Sequence, residues 1–350
     1  MTPDDADGTR LGPGREFRLI ESILADREGG ERVRVGPGDD AAVLDDGSIH
    51  SIDLAVEGVH FRFDWMTPEE AGFRTVAGAL SDLAAMAAEP VGFLVSLGIP
   101  QKGGGEGKGE DDGPGDLARS IMGGVRKAEK AFGAPLLGGD LTRSPGPVII
   151  DVAVIGTVGS RAPLLRSGAK TGDGLWVTGT LGEAATAIDC LRRGETPAPA
   201  LLRRYRSPKP RIAEAIHLAE TLGATAGLDL SDGLAGDAGH LAAASGVGIE
   251  LEGHTLPLSR DAVEALGRER AVELALSGGD DYELLVALPD PISTEEVENF
   301  GKRFDLTLTR VGRVVEGSGV RIRTAPGAPA RPLARGGWDH FGTEETRTES

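Results

Sequence analysis

The sequence predicts an α/β protein built in two halves. Three observations carry that expectation. Runs rich in β-branched residues, such as VIIDVAVIGTVG (148–159), alternate with helical stretches of small residues. Strands and helices occur on both sides of a boundary near Ser160. Each half also carries short acidic turns set in sequence that otherwise reads as core.

The elements follow in order. Residues 1–14 are polar with Gly and Pro and are expected to be disordered. REFRLIESILAD (15–26) has a helical apolar period. Strands are predicted at AAVL (41–44), HSIDLAV (50–56), GFLVSLGIP (92–100) and 148–159. Between them TPEEAGFRTVAGALSDLAAMAA (67–88) reads as a helix, with Thr67 as N-cap and Pro68 behind it. Residues 101–115 are Gly-rich and charged, a flexible insertion before the helix DLARSIMGGVRKAEKAFG (116–133).

The second half, 161–341, opens with a strand, a Gly turn and a helix in GDGLWVTGTLGEAATAIDCLRR (172–193). The helix RIAEAIHLAETLG (211–223) comes next, then an acidic turn and the strand GIELEG (248–253). One helix is predicted over DAVEALGRERAVELALS (261–277), and strands over YELLVALP (282–289) and RVGRVVE (310–316). The tail, 342–350, is polar and expected to be disordered.

A formal charge of −18 argues against a nucleic-acid partner, which needs a basic stripe. The single cysteine, Cys190, excludes an intrachain disulfide and a cysteine metal site, and reads as a small buried hydrophobe. No apolar run is long enough for a membrane span and no signal peptide is evident, so a cytoplasmic location is expected.

The acids themselves point to chemistry. Asp39-Asp40, Asp53, Asp82, Asp140, Asp229 with Asp232, and Asp280-Asp281 interrupt apolar or Gly-flanked segments. Carboxylates buried together repel unless a cation neutralises them, and hard oxygen ligands favour Mg2+. No P-loop and no dinucleotide fingerprint is present, so phosphates would be held by metal ions and other turns.

Each acid also has a plainer reading. Asp39-Asp40 after GPG either bind ions or cap a turn. Asp53 within a strand faces either solvent or a ligand, and His60 trails it by a few residues. Asp82 lies at the polar edge of its helix or is buried and paired. Asp140, after an apolar strand and a Gly pair, is a strand-end ligand or a turn residue. Asp229 and Asp232 bracket Ser231 before an Ala-rich helix, where backbone N–H groups could hold phosphate and Asp232 could cap. Trp338 in GGWDHF stacks on a ring or anchors the terminus.

Taken in order, GPGDDAAVL, VEGVHF, LSDLAAMAAEP, GGDLTRS, LRSGAKTGD, DLSDGLAGDAGHL, SGGDDYELL and GGWDHF resemble the thiamine-monophosphate kinase family, over about residues 16–341. That family is related to aminoimidazole ribonucleotide synthetase and to the selenophosphate synthetase and hydrogenase-maturation ATPases. The resemblance implies two α/β domains, 15–160 for ATP, Mg2+ and dimerisation and 161–341 behind it. It also implies N-terminal sheets that pair in a homodimer. It implies phosphorylation of thiamine monophosphate by ATP, by direct in-line transfer with several Mg2+ ions. Carried over, the metal ligands are Asp40, Ser51, Asp53, Asp82, Asp140, Asp229 and Asp232. ATP falls to Gly139, Asp140, Arg166 and Ser231, and the substrate to His60, Asp280 and Trp338. Two departures stand out: Ile52 where the family often has Thr, and Asp280 where Glu is usual.

Two alternatives compete. A sister ATPase would need a cysteine near one terminus, and this sequence has none there. A non-catalytic divalent-cation-binding protein would leave Arg166 and Trp338 without a role.

Overall fold

The structure is a computed structural model and describes residues 14–25, 30–101, 113–333, 337–338 and 340–341. The expected disorder of 1–13 and 342–350, and nearly all of the 101–115 insertion, lie outside the described residues.

The first half runs α1 (Arg15–Leu24), β1 (Val33–Val35), β2 (Ala42–Leu44), β3 (Ser48–Val56), α2 (Pro68–Ala85), β4 (Glu89–Pro100), α3 (Pro114–Phe132), β5 (Leu136–Ser144) and β6 (Ile149–Thr157). Its sheet has the order β1-β2-β3-β6-β4-β5. β6 alternates strictly: Ile150, Val152 and Val154 are buried while their neighbours are only partly so. One face therefore packs on α2 and α3. Thr67 caps α2 in a capping box with Glu70, as its sequence predicts.

The small residues of α2 and α3 have a geometric reason. A Cβ on Gly72 would lie 2.2 Å from the Ile121 carbonyl oxygen, and one on Gly124 1.8 Å from that of Glu69. Only glycine lets these two helices approach so closely.

The second half runs β7 (Gly174–Thr178), α4 (Glu183–Arg192), α5 (Pro199–Arg206), α6 (Ile212–Glu220), β8 (Ala226–Asp229), α7 (Leu234–Ser245) and β9 (Gly248–Glu252). It continues with α8 (Arg260–Leu266), α9 (Arg268–Ser277), β10 (Leu284–Leu288), α10 (Thr294–Phe304), β11 (Leu308–Val315), β12 (Gly319–Arg323) and β13 (Arg331–Pro332). The sheet order is β13-β12-β9-β11-β7-β10-β8. β7 and β10 are buried at every position, which is why GLWVT and LLVAL carry no polar alternation. Cys190 is buried in α4.

Three expectations are corrected. The helix predicted over 261–277 is two helices, broken where Gly267 takes φ +78°. LLGGDLTRS is not a strand followed by a turn but one strand, β5, and Asp140 sits inside it. α5 and α10 are helices that a reading for apolar period passed over; their faces are dominated by charge.

Candidate active site

β3 and α2 bring the first acids together. Asp40, Asp82 and Asp229 each present a carboxylate oxygen within 4.8 Å of the others. The Ser51 hydroxyl donates to Asp82 Oδ2 at 2.6 Å and lies 3.1 Å from the Asp40 carbonyl oxygen. Asp53, two residues along β3, points to the same side as Ser51 and lines a cleft of about 910 Å³. Asp82, Asp229, Ser231, Asp232, His60, Asp280 and Trp338 line it too.

Burial raises the pKa of these acids. Asp229 is pushed up to about 7, first by burial and then by the charge of Asp40. Asp39 also rises to about 7, for burial and its neighbour Asp40, with Arg166 pulling the other way. Asp82 is held well above the usual carboxylate range by burial, then by Asp229 and Asp53. Asp53 is raised by burial and then by Asp280. Only hard oxygen donors converge on the Asp40–Asp82–Asp229 point, a donor set suited to Mg2+.

Arg166 stands beside the cluster. Its guanidinium grips Asp40 with Nη2 at 2.6 Å from Oδ1 and Nε at 3.2 Å from Oδ2, while its backbone N–H donates to Asp39. This two-pronged pair joins the first half to the second.

The two acidic motifs of the second half are clamped together. Asp280 N–H donates to the Ser231 carbonyl at 2.9 Å and Tyr282 N–H to that of Leu230 at 2.9 Å. Trp338 N–H donates to the Asp232 carbonyl at 2.9 Å. Trp338 is 38% exposed, in the wall of the cleft. At the C-terminal end of β3, His60 Nδ1 accepts from Val56 N–H at 3.0 Å. The neutral ring therefore carries its proton on Nε2, and burial pulls its pKa down.

Two expected placements fail. The backbone N–H groups of Asp232 and Gly233 are not open to a phosphate, because both donate to Asp237 Oδ2 at 3.2 and 3.0 Å. Asp232 is not the helix cap either; Gly233 is, and the side chain of Asp237 closes the turn from inside the helix. Gly139 and Asp140 do not join the cluster. Gly139 is in register with Val95, Val152 and Asp53 across the sheet, and Asp140 is one residue on. Alternation thus turns Asp140 to the outer face, exposed, on the edge strand β5.

The chain matches the models of the AIR synthase related protein N-terminal domain over residues 38–158 and C-terminal domain over residues 170–324. It is 33% identical over 345 residues to the thiamine-monophosphate kinase of Mycobacterium tuberculosis, covering 95% of this chain and 93% of the relative. It is 36% identical to that of Pyrococcus horikoshii over 279 residues, covering 79% and 81%. The chain belongs to the thiamine-monophosphate kinase family.

Solved structures of the family agree. AaThiL complexed with AMPPCP and TMP superposes with a TM-score of 0.75 at 30% identity, covering 94% of this chain and 97% of that one. The thiamine-monophosphate kinase of Stenotrophomonas maltophilia gives 0.70 at 33% identity, covering 89% and 96%. The Escherichia coli hydrogenase maturation protein HypE, at 18% identity and a TM-score of 0.65 over 91% and 96%, shares the fold.

In this member of the thiamine-monophosphate kinase family, several cleft residues escaped sequence reasoning. Phe17 of α1 lines the cleft and packs on His240, ring centroids 4.1 Å apart. Tyr282 lines it as well, and Arg74 lies buried behind Asp280. Arg74 had one available signal, a cation inside an otherwise apolar, small-residue helix.

Proposed function

We propose that the chain transfers the γ-phosphoryl group of ATP to thiamine monophosphate, giving ADP and thiamine diphosphate. The carrying observation is the meeting of Asp40, Asp82 and Asp229 beside a cleft that also holds Asp53, His60, Asp280 and Trp338. Family membership and the AaThiL complex with AMPPCP and TMP support the same substrates.

One bond forms, from an acceptor phosphate oxygen to the γ-phosphorus, and one breaks, to the bridging oxygen of ADP. The acceptor oxygen is already anionic at neutral pH, so no strong general base is needed. His60, neutral with its proton on Nε2, is suited to donate a hydrogen bond to a substrate oxygen. The barrier is repulsion: two unit charges about 4 Å apart cost about 4 kcal/mol at an effective dielectric near 20.

Asp40, Ser51, Asp53, Asp82, Asp229 and Asp232 are the residues we assign to Mg2+. Bound there, Mg2+ supplies the positive charge that lets two phosphates approach. In this state Arg166 is bound to Asp40, so its proposed contact with ATP requires an exchange of partner. Asp280 and Trp338 are assigned to the thiamine moiety, and Ser231 to the nucleotide. Direct in-line transfer, without a phosphoenzyme, fits a site where both substrates share one cleft.

A homodimer is part of the proposal. Ile52, Leu54, Leu94 and Leu137 are exposed on the outer face of the first half's sheet. Ile52 and Leu94 lie in one cross-strand row, joined through Ala153 of β6. An apolar face of this kind calls for a cover, and a second copy supplies it. Asp140 lies on that outer surface with Gly139 beside it on the exposed edge strand β5, and we assign both to the neighbouring chain's nucleotide. No helix among the described residues is long and apolar enough to cross a membrane, and a cytoplasmic location is proposed.

The test is direct. Purified protein with ATP, Mg2+ and thiamine monophosphate should form ADP and thiamine diphosphate in equal amounts. ADP without thiamine diphosphate would overturn the reading.

A further inference from the structure

Arg74 has no role in the chemistry above, yet it occupies a demanding place. Its side chain is 6% exposed, on α2 of the first half. One prong, Nη2, lies 2.5 Å from Asp280 Oδ1, on the loop before β10 of the second half. The other prong, Nη1, donates to the Tyr205 carbonyl at the end of α5. The Tyr205 ring lies 4.7 Å from the guanidinium carbon and the Tyr282 ring 5.8 Å. A planar fork between two rings, with a different acceptor on each prong, is a geometry that Arg provides and Lys does not.

The loop it holds is under strain. Asp280 has φ +72° and Tyr282 φ +50°, left-handed conformations that residues with a Cβ rarely adopt. Such a loop persists only where its surroundings over-determine it. Here those surroundings are the backbone bonds to Leu230 and Ser231, the Gly182 N–H donated to the Asp281 carboxylate, and Arg74 at Asp280. The loop is also pressed hard against the Ser231 turn, since a Cβ on Gly279 would lie 2.2 Å from the Ser231 carbonyl oxygen.

The pull on Asp280 is one-sided. Arg74 and the Tyr282 hydroxyl, at 3.1 Å, both meet Oδ1. The Asp280 side chain still keeps 28% of its surface exposed, in the wall of the cleft. Asp53 stands nearby: a Cβ on Gly78 would lie 3.2 Å from the Tyr282 hydroxyl and 3.3 Å from Asp53 Oδ2. A cation behind Asp280 therefore also offsets its repulsion with Asp53.

We infer that Arg74, with Tyr282, is a positioning residue for substrate recognition. It fixes Asp280 by one oxygen and presents the other to thiamine monophosphate. It thereby sets affinity for that substrate and not for ATP. The inference rests on the function proposed above and deepens it.

The experiment compares wild type with Tyr282→Phe, Arg74→Lys and Arg74→Met. Both Michaelis constants, kcat and the melting temperature are measured for each. Tyr282→Phe removes one hydroxyl from Asp280 and should raise KM for thiamine monophosphate about five-fold or more, with KM for ATP within about two-fold. Arg74→Met should raise it about thirty-fold, and Arg74→Lys should recover part of that loss by keeping the charge. If the Arg74 variants do not fold, Tyr282→Phe alone decides. Unchanged KM for thiamine monophosphate, a fall in melting temperature alone, or an equal rise in both constants overturns the inference. Wild type that forms no thiamine diphosphate is a separate result; it removes the proposed function and this inference with it.

Discussion

The Ser51 hydroxyl donates to Asp82 Oδ2 at 2.6 Å, tying the middle of β3 to α2. One hydroxyl thereby aims an acid that helix geometry alone would leave free to turn. Asp53, on the same side of β3, meets the same cleft. A strand and a helix, not a loop, hold these groups, which limits how far they can drift between substrate-free and substrate-bound states.

The first prediction concerns that rigid set. Asp229→Asn and Asp53→Asn should each lower kcat by orders of magnitude with the fold retained, because each removes a charge from a residue assigned to Mg2+, where it would count most in the transition state. Single-turnover and steady-state rates at ordinary and high Mg2+ check it. Near-wild-type turnover in either variant removes that residue from the set.

The second follows from linkage. Asp39 and Asp229 rise to about 7 from 3.8, chiefly by burial and next by the charge of Asp40. A folded pKa above the unfolded one means that the folded protein holds a proton the unfolded chain releases. That contribution to stability is present at low pH and is lost as pH rises through the folded value. Metal-free protein should therefore melt at a lower temperature at about pH 8 than at about pH 6.5. His240, drawn down to about 3 by burial and then by Arg166, and His60 and His217, also lowered by burial, act in the opposite sense, and that contribution fades as pH rises above their unfolded value of 6.5, so it offsets only part of the acids' effect at the low-pH end of this window. Mg2+ binds the ionised form, so the melting-temperature gain on adding it should be larger at the higher pH. Calorimetry with and without chelator at both pH values reads it, and a gain that does not grow with pH would count against the carboxylate site.

Much of this site was legible because its acids break apolar patterns. Asp53 between Ile52 and Leu54, and Asp82 among Ala and Leu, are expensive positions for a charge without a partner. The partners were harder to read. Arg74 joins Tyr205, Asp280 and Tyr282, contacts up to about two hundred residues apart in sequence, and no local pattern encodes that. Asp140 misled for a related reason. Its Gly pair suggests a turn, whereas Gly139 lies in a strand, where a Cβ would sit 1.8 Å from the Val95 carbonyl oxygen. Glycine there permits close strand packing, not a turn.

The third prediction tests the helix pair beneath the sheet. Gly124→Ala places a Cβ 1.8 Å from the Glu69 carbonyl oxygen, a backbone atom that cannot step aside. The substitution should destabilise by about 1–3 kcal/mol through forced separation of α2 and α3. Chemical denaturation measures it. Gly133→Ala, with nothing within 4 Å, is the contrasting site, where only the left-handed φ of +67° is strained.

The fourth concerns the outer face of the first sheet. Ile52 and Leu54 are 67% and 49% exposed there. Ile52→Glu with Leu54→Lys should leave the chain folded and shift it to a monomer in sedimentation. Activity should fall with it, since Gly139 and Asp140 are assigned to the neighbouring chain's nucleotide. A variant that stays dimeric and fully active would place the interface elsewhere.

The last prediction is that Trp338 stacks on the thiamine rings and sets substrate preference. The indole lines the cleft, its backbone is fixed by Asp232, and Gly337 beside it takes φ +111°. Its edge meets the His340 ring, centroids 5.8 Å apart, at an interplanar angle of 88°. A flat apolar face opposite a cationic thiazolium is worth about 0.5–2 kcal/mol. Trp338→Ala should raise KM for thiamine monophosphate by about three- to thirty-fold. KM for ATP should hardly move, because the nucleotide is assigned to the Arg166 and Ser231 side of the site. A residue packed only for stability behaves differently: its loss lowers the melting temperature and leaves the ratio of the two constants alone. A role in stacking adds a selective rise in KM for thiamine monophosphate to whatever the melting temperature does. Both constants and the melting temperature of this one variant separate the two roles, and an equal rise in both constants would sink the stacking assignment.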